Sequence, residues 1–241
     1  MIEFSDVCKN FGPSKTAADH LALTVNDGEI FGFLGPNGAG KTTSIKMMTG
    51  ILKPDSGRIR INGIDVAEHP IEAKKQFGYV PDSPDQLLRL KGIEYLDFMA
   101  DMYDVPGDLR AERIKTLSAE FEMSEALGDR IQSYSHGMRQ KIVIIGALLH
   151  DPAVWILDEP LTGLDPKSAF TLKQRMRQHA DANKTVFFST HVLEVAENLC
   201  DRVAIIDHGR ILFSGSLSEL KEQHRGDESL EKIFLEMTDH E

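Results

Sequence analysis

Gly35-Pro36-Asn37-Gly38-Ala39-Gly40-Lys41-Thr42 decides how the rest of the chain is read. It matches G-x-x-x-x-G-K-[S/T], a loop whose glycines let the backbone wrap a phosphate with successive N–H groups pointing inward. Just before it, Ile30 to Leu34 is a short apolar run, consistent with a strand buried on both faces. Just after it, a helical pattern runs to Gly50, and a helix opening near Lys41 aims its positive dipole end at the same anion. Strand, loop and helix therefore follow one another in the order the chemistry needs. Gly35, Asn37, Gly38, Ala39, Gly40, Lys41, Thr42 and Thr43 become the candidate phosphate-binding residues. Lys41 is expected to reach the β- and γ-phosphates, and the Thr42 hydroxyl to ligate Mg²⁺.

Working outward, Ile2 to Val7 alternates apolar and polar residues as a half-buried strand does, and Leu21 to Val25 and Arg58 to Ile61 look similar. Asn26-Asp27-Gly28, Pro54-Asp55-Ser56-Gly57 and Asn62-Gly63 are turn signals. From Leu87 to Leu149 apolar residues recur at helical spacing, with Ile93, Leu96, Met99 and Ala100 in one stripe and Ile114, Leu117 and Phe121 in another. Beyond this helical insert, strands and helices alternate: Ala153–Leu157, Thr185–Ser189 and Val203–Ile206 as strands, Lys167–Ala182 and Val192–Leu199 as helices. That alternation predicts a parallel sheet with crossover helices. Asp207-His208-Gly209 predicts a hairpin into Ile211-Leu212-Phe213. Leu230, Ile233, Phe234 and Met237 fit one face of a closing amphipathic helix.

The chain has 241 residues, 27 basic and 38 acidic, for a formal net charge of −11. These are globular proportions, and they argue against collagen, low complexity and broad nucleic-acid binding. No nucleic-acid partner is expected. The two cysteines, Cys8 and Cys200, make no disulfide framework and read as reduced thiols of a cytosolic protein. Met1-Ile2-Glu3-Phe4 has no basic region leading into an apolar core, so no secretory signal is expected. The longest apolar run, Ile142 to Leu149, falls far short of the roughly 20 residues of a membrane span. Any membrane role must then pass through a partner.

Asp158 and Glu159 close the apolar run Ala153-Val154-Trp155-Ile156-Leu157. Ligands of α/β sheets gather at strand carboxyl ends. Asp158 is placed to hold Mg²⁺ directly or through water, and Glu159 to polarise an attacking water. Alone, two acids ending a strand are often only a turn; beside a phosphate loop they are a catalytic pair.

Taken together, these motifs resemble the nucleotide-binding subunit of an ABC transporter over nearly the whole chain. Ser133-Tyr134-Ser135-His136-Gly137-Met138-Arg139-Gln140-Lys141 is similar to the family's signature, usually L-S-G-G-Q: Ser135 and Gly137 match, whereas Tyr134, His136 and Met138 depart. Read from residues alone, Ser135 is a good helix N-cap. Leu161-Thr162-Gly163-Leu164-Asp165-Pro166 resembles the D-loop, which implies that Asp165 lies near a subunit interface. Ser189-Thr190-His191 resembles the switch histidine, and Phe11 stands where the family puts an aromatic that stacks on adenine. After Phe77-Gly78-Tyr79-Val80-Pro81 the family has a glutamine that touches Mg²⁺ and signals to the membrane partner; here that place holds Asp82, with Gln86 close by. Either could do that work.

The resemblance implies an α/β fold: a P-loop NTPase (RecA-like) core with a mixed sheet, an antiparallel β subdomain and an inserted α-helical subdomain. It divides a single domain, 1–241, into 1–86 plus 150–241 for the core and β subdomain and 87–149 for the helical one. It implies ATP and Mg²⁺ as cofactors and hydrolysis in a sandwich dimer, homomeric or heteromeric. Each ATP would lie between the phosphate loop of one subunit and Ser135, His136 and Gly137 of the other, with Glu159, His191 and Lys41 catalytic. It implies a separate multi-span transmembrane permease and a peripheral place on the inner face of the cell membrane. The wording of residues 134–141 and 230–238 resembles the export-type branch. A soluble ABC-type ATPase of DNA repair or translation is the alternative; such relatives usually carry two cassettes, a long coiled coil or zinc-binding cysteines. A nucleotide kinase sharing only the phosphate loop leaves the signature-like segment and Ser189-Thr190-His191 unexplained.

Overall fold

Two sheets share one phosphate loop. The computed structural model describes residues 1–12, 15–85, 87–224 and 229–238. The chain opens with β1 (Ile2–Asn10), β2 (Thr16–Val25) and β3 (Ile30–Leu34), and α1 (Lys41–Met48) follows the loop. Next come β4 (Ser56–Ile61), β5 (Ile64–Asp65), α2 (Pro70–Lys74) and β6 (Phe77–Val80). The helical stretch is α3 (Gly92–Met102), α4 (Gly107–Glu120), two single 3₁₀ turns and α5 (His136–Leu148). Then β7 (Val154–Asp158), α6 (Pro166–Asp181), β8 (Thr185–Thr190), α7 (Leu193–Leu199) and β9 (Arg202–Asp207) alternate as expected. A hairpin leads into β10 (Arg210–Ser216), and α8 (Leu217–Gln223) and α9 (Leu230–Thr238) complete the described elements.

The larger sheet has the order β10-β9-β3-β8-β7-β6, parallel except for the edge strand β10. The smaller is antiparallel, β2-β1-β4-β5. Residues of the large sheet alternate between two cores. Ile30, Trp155, Leu157, Val186 and Phe188 face the side packed by α3, α4, α5 and α6. Phe31, Phe33, Val154, Ile156 and Phe187 face α1 and the antiparallel sheet. Burial on both faces is why β3 and β7 read as continuous apolar runs rather than as alternation. A smaller cluster seats Leu230 and Ile233 of α9 on Val203, Ile205 and Phe213.

Parallel register then sets the site. Leu34 pairs with Thr190, and Asp158 pairs with Ser189. The carboxyl ends of three adjacent strands, β3, β8 and β7, thus finish level with one another. Gly35, His191 and Glu159, each the next residue along its strand, emerge at one edge of the sheet. Among the described residues no helix is long and apolar enough to cross a membrane. Short α2 and α8 were not signalled by the sequence pattern, and β2 begins five residues before its clear alternation at Leu21.

Candidate nucleotide site

A pocket of about 650 Å³ opens where those strand ends meet. Its walls include Asn37, Gly38, Gly40, Lys41, Thr42 and Thr43 from the phosphate loop, together with Asp82, Glu159 and His191. The loop fits against its neighbours only as glycine at two points. A Cβ on Gly35 would lie 2.4 Å from the Ile206 carbonyl oxygen, and one on Gly40 would lie 2.2 Å from that of Ala17. Gly40 also takes φ 111°, a left-handed value that side chains disfavour. It caps α1 without a side chain, so the first N–H groups of that helix are not consumed by a capping residue.

Lys41 is buried, 7% exposed, and its Nζ donates to the carbonyls of Gly35 at 2.6 Å and Pro36 at 3.3 Å. Glu159 Oε1 lies 3.8 Å away. Burial lowers the pKa of Lys41, against the opposing pull of Glu159, Asp158 and Asp82. Glu159 takes φ 47°, an uncommon conformation for a non-glycine residue that lifts its side chain off the strand end. Its Oε2 meets His191 Nδ1 at 3.0 Å. Lys41, Glu159 and His191 therefore form one contact chain across three strand ends.

Asp158 is fully buried, and burial raises its pKa. Ser189 Oγ donates to Asp158 Oδ1 at 2.6 Å and accepts the Glu159 N–H at 3.0 Å, so one hydroxyl holds both carboxyl residues. Oδ2 of Asp158 has no hydrogen-bond partner among the described residues. A buried carboxylate oxygen left without a donor suits a hard cation, and the Thr42 hydroxyl beside Asp158 supplies a second oxygen. The donor set fits Mg²⁺.

The signature segment lies elsewhere. Ser135 caps α5 by accepting the Met138 N–H at 3.3 Å, as its residue type predicts. Ser135, His136 and Gly137 line a separate hollow with Lys141, Gly163 and Asp165. Asp165 caps α6, accepting from the N–H groups of Lys167 and Ser168 at 3.1 and 3.0 Å. The Ser168 hydroxyl and these N–H groups hold its pKa down to about 2. Within one chain, then, Ser135, His136, Gly137 and Asp165 are not among the residues that line the phosphate pocket. Nor is Phe11, which stands 47% exposed just past β1 with Lys9 Nζ 5.8 Å from its ring centroid. Gln86 lies outside the described residues.

Some lining residues were not singled out from the sequence. Lys15, Thr16 and Ala17 come from the start of β2, and Thr162 and His208 from turns. No local motif marks Lys15, Thr16 or Ala17; Thr162 falls inside the D-loop-like segment and His208 inside the hairpin turn, and neither was read there as a site residue. Ser189 carries a signal only once β8 is known to lie beside β7, which tertiary pairing decides.

Comparison with known proteins agrees with this geometry. The family model described as ABC transporter matches residues 18–162. The chain is 36% identical over 239 residues to the ABC transporter ATP-binding protein NatA of Bacillus subtilis, covering 98% of this chain and 97% of that protein. It is 37% identical over 233 residues to the Nod factor export ATP-binding protein I of Rhizobium sp., covering 95% and 75%. A solved ATP-binding subunit of an ABC transporter superposes with a TM-score of 0.94 at 32% identity, covering 99% of this chain and 100% of that one. With a family model over more than half its length and a relative matched from end to end, this chain belongs to the ABC transporter family as an ATP-binding, ATP-hydrolysing subunit.

Proposed function

We propose that two copies of this chain close on two ATP molecules, each held by the phosphate pocket of one copy and the signature end of α5 of the other. The observation that carries this reading is the separation just described. One chain holds a pocket with cation, carboxylates and histidine, and a second hollow at a helix N-terminus that takes no part in it. Both halves are present in the same chain, which supports a homodimer. Helix N-termini favour anions, so the α5 end suits the outward side of a γ-phosphate.

In this proposal Gly35 to Thr43 cradle the phosphates with backbone N–H groups, and Lys41 exchanges its loop carbonyls for phosphate oxygens. Glu159 orients the attacking water and accepts its proton. The His191 contact keeps that carboxylate aimed, and His191 and Lys41 together stabilise charge on the transferring group. Asp158 and Thr42 would hold Mg²⁺, with Asp82 facing the same space; the ion offsets charge on the phosphates. Catalysis of this kind is mostly positioning and electrostatics. Phe11 stacks on the adenine at the pocket's outer edge, and Asp165 sits at the dimer seam.

We further infer that the dimer works on a separate multi-span permease from the inner face of the cell membrane, and that transport is outward. The names of relatives support export: one is a Nod factor export protein and another a linearmycin resistance protein. Helices α3 to α5 are the natural contact for the permease, because α5 carries the signature hollow and Arg139 ties it to Asp85, just past Asp82, at 2.7 Å. An affinity pull-down from detergent-solubilised native membranes tests this reading. A stoichiometric polytopic membrane protein is the expected partner. Recovery of ribosomal or DNA-bound proteins alone, in repeats with different detergents, would favour a soluble ATPase instead.

A further inference from the structure

Away from the nucleotide, β1 and β2 do not pair evenly. Phe4 pairs with Leu23 and Val7 with Leu21, so Ser5 and Asp6 oppose Ala22 alone. Val7 pairs with Leu21 and Lys9 with Ala18, so Asp19 and His20 oppose Cys8 alone. Two successive bulges, one on each strand, follow. Each has a residue in the left-handed region: Asp6 at φ 56° and His20 at φ 52°. Bulges re-aim side chains. Here they bring a thiol, a carboxylate and an imidazole to one point on the small sheet.

Ligand atoms from Cys8, Asp19 and His20 all lie within 4.8 Å of one another. His20 Nε2 is 3.9 Å from Asp19 Oδ1. In a tetrahedral site with zinc's usual bond lengths, ligand atoms lie about 3.3–3.6 Å apart, so only a small inward movement is needed. The supporting contacts leave these atoms available. His20 Nδ1 is engaged by Asp6 Oδ1 at 2.6 Å, which fixes the ring and leaves Nε2 for a metal. Arg210 Nε binds Asp19 Oδ2, which leaves Oδ1. The His20 N–H points at Cys8 Sγ at 3.4 Å, which holds the sulfur on the side of the imidazole. A carboxylate on the far ring nitrogen of a metal-bound histidine is a recurrent second layer of support.

We propose that Cys8, Asp19 and His20 form a binding site for a thiophilic divalent cation, Zn²⁺ being the best match to a sulfur, nitrogen and oxygen donor set, with Asp6 as its positioning residue. The solvent-facing side of His20 leaves the fourth position to water. The site braces β1 to β2 close to where Thr16 and Ala17 enter the wall of the nucleotide pocket, and the Asp19 N–H donates to the Gly209 carbonyl, next to His208 of that wall. Nothing in it depends on the phosphate-loop residues.

The test uses the full chain, untagged, reduced and nucleotide-free, titrated with Co²⁺ as a spectroscopic probe and then with Zn²⁺. One equivalent of Co²⁺ should bind with a thiolate-to-cobalt charge-transfer band, and Zn²⁺ should displace it. Cys8→Ser should abolish the band and weaken Zn²⁺ binding at least ten-fold. His20→Asn, which tolerates the left-handed backbone, should weaken binding to a similar degree while keeping the fold by circular dichroism. Asp6→Asn should keep the band but weaken binding about 10–100-fold. Cys200→Ser, at a thiol outside the cluster, should change nothing. The proposal falls if the wild-type chain shows no charge-transfer band, or if the band survives Cys8→Ser. Either result would leave the cluster as an ion-paired pair of bulges and nothing more.

Discussion

The phosphate pocket and the signature hollow are both built at helix N-termini, and they are equipped in opposite ways. At α1 the cap is a glycine with no side chain, and a buried lysine, two carboxylates and a histidine crowd the space beyond it. At α5 the cap is Ser135, whose hydroxyl already takes one N–H, and the ammonium of Lys141 in that hollow lies 3.8 Å from Asp165. The first region can bind a phosphate and act on it. The second offers an anion a polar, oriented surface lined by Ser135, His136 and Gly137, without the paired carboxylates of the first. That division is what the proposed two-copy site rests on: one sequence carries two halves that lie apart within a single chain.

The comparison breaks most sharply at Glu159. Glu159→Gln should cut kcat by roughly 10²–10⁴-fold, the usual worth of a positioned base, while ATP still binds. Turnover at the wild-type rate would remove Glu159 from its role. Next is Lys41→Ala. Charge-assisted hydrogen bonds contribute about 1.5–3 kcal/mol, so ATP affinity should fall roughly 10–150-fold by calorimetry. Unchanged affinity would shift the phosphate site away from α1.

A smaller effect concerns the helix that leaves the signature hollow and packs against the strand carrying Asp158. Helix α6 starts at the Asp165 cap beside the signature hollow and ends with His179 packed on Trp155, on the strand that carries Asp158. His179 is 7% exposed, its Nε2 has no partner among the described residues, and burial pushes its pKa down to about 4. Lys184 and Arg175 reinforce that shift and Asp151 opposes it. The folded state therefore holds the ring neutral while the unfolded chain protonates it near pH 6.5. Stability from this residue is fully present above about pH 6.5 and is lost as pH falls toward 4. By linkage the loss is about 2 kcal/mol at about pH 5, measured by urea unfolding at about pH 8 and about pH 5. His179→Leu should remove its share of the loss at low pH and leave the share of His150, which burial also holds down to about 4; an unchanged profile would assign the acid sensitivity to other groups.

Much of this was legible in the sequence because the motifs are local. Gly35 to Thr42 is contiguous, and β3 and β7 announce themselves as short apolar runs ending in chemistry. Ser135 is a cap by residue type and caps in the structure, whereas the Asp165 cap is a finding of the structure. What was not legible depends on pairing between distant segments. Ser189 matters because β8 lies in register beside β7, and Thr16 and Ala17 matter because β2 passes under Gly40. Neither fact has a local signature. Short α2 and α8 present too few residues for a period to show. The two bulges that gather Cys8, Asp19 and His20 are likewise invisible until the strands are aligned.

The most direct test of the shared site is the oligomeric state of the Glu159→Gln protein with saturating ATP, with and without His136→Glu. His136 is the first residue of α5, where a negative charge favours the helix dipole but opposes a phosphate placed against it. By sedimentation, Glu159→Gln should be a dimer. The double variant should be a folded monomer that binds ATP with the affinity of a single phosphate pocket. A double variant that stays dimeric, or a Glu159→Gln protein that stays monomeric with its pocket full, would contradict a site built from two copies of the chain.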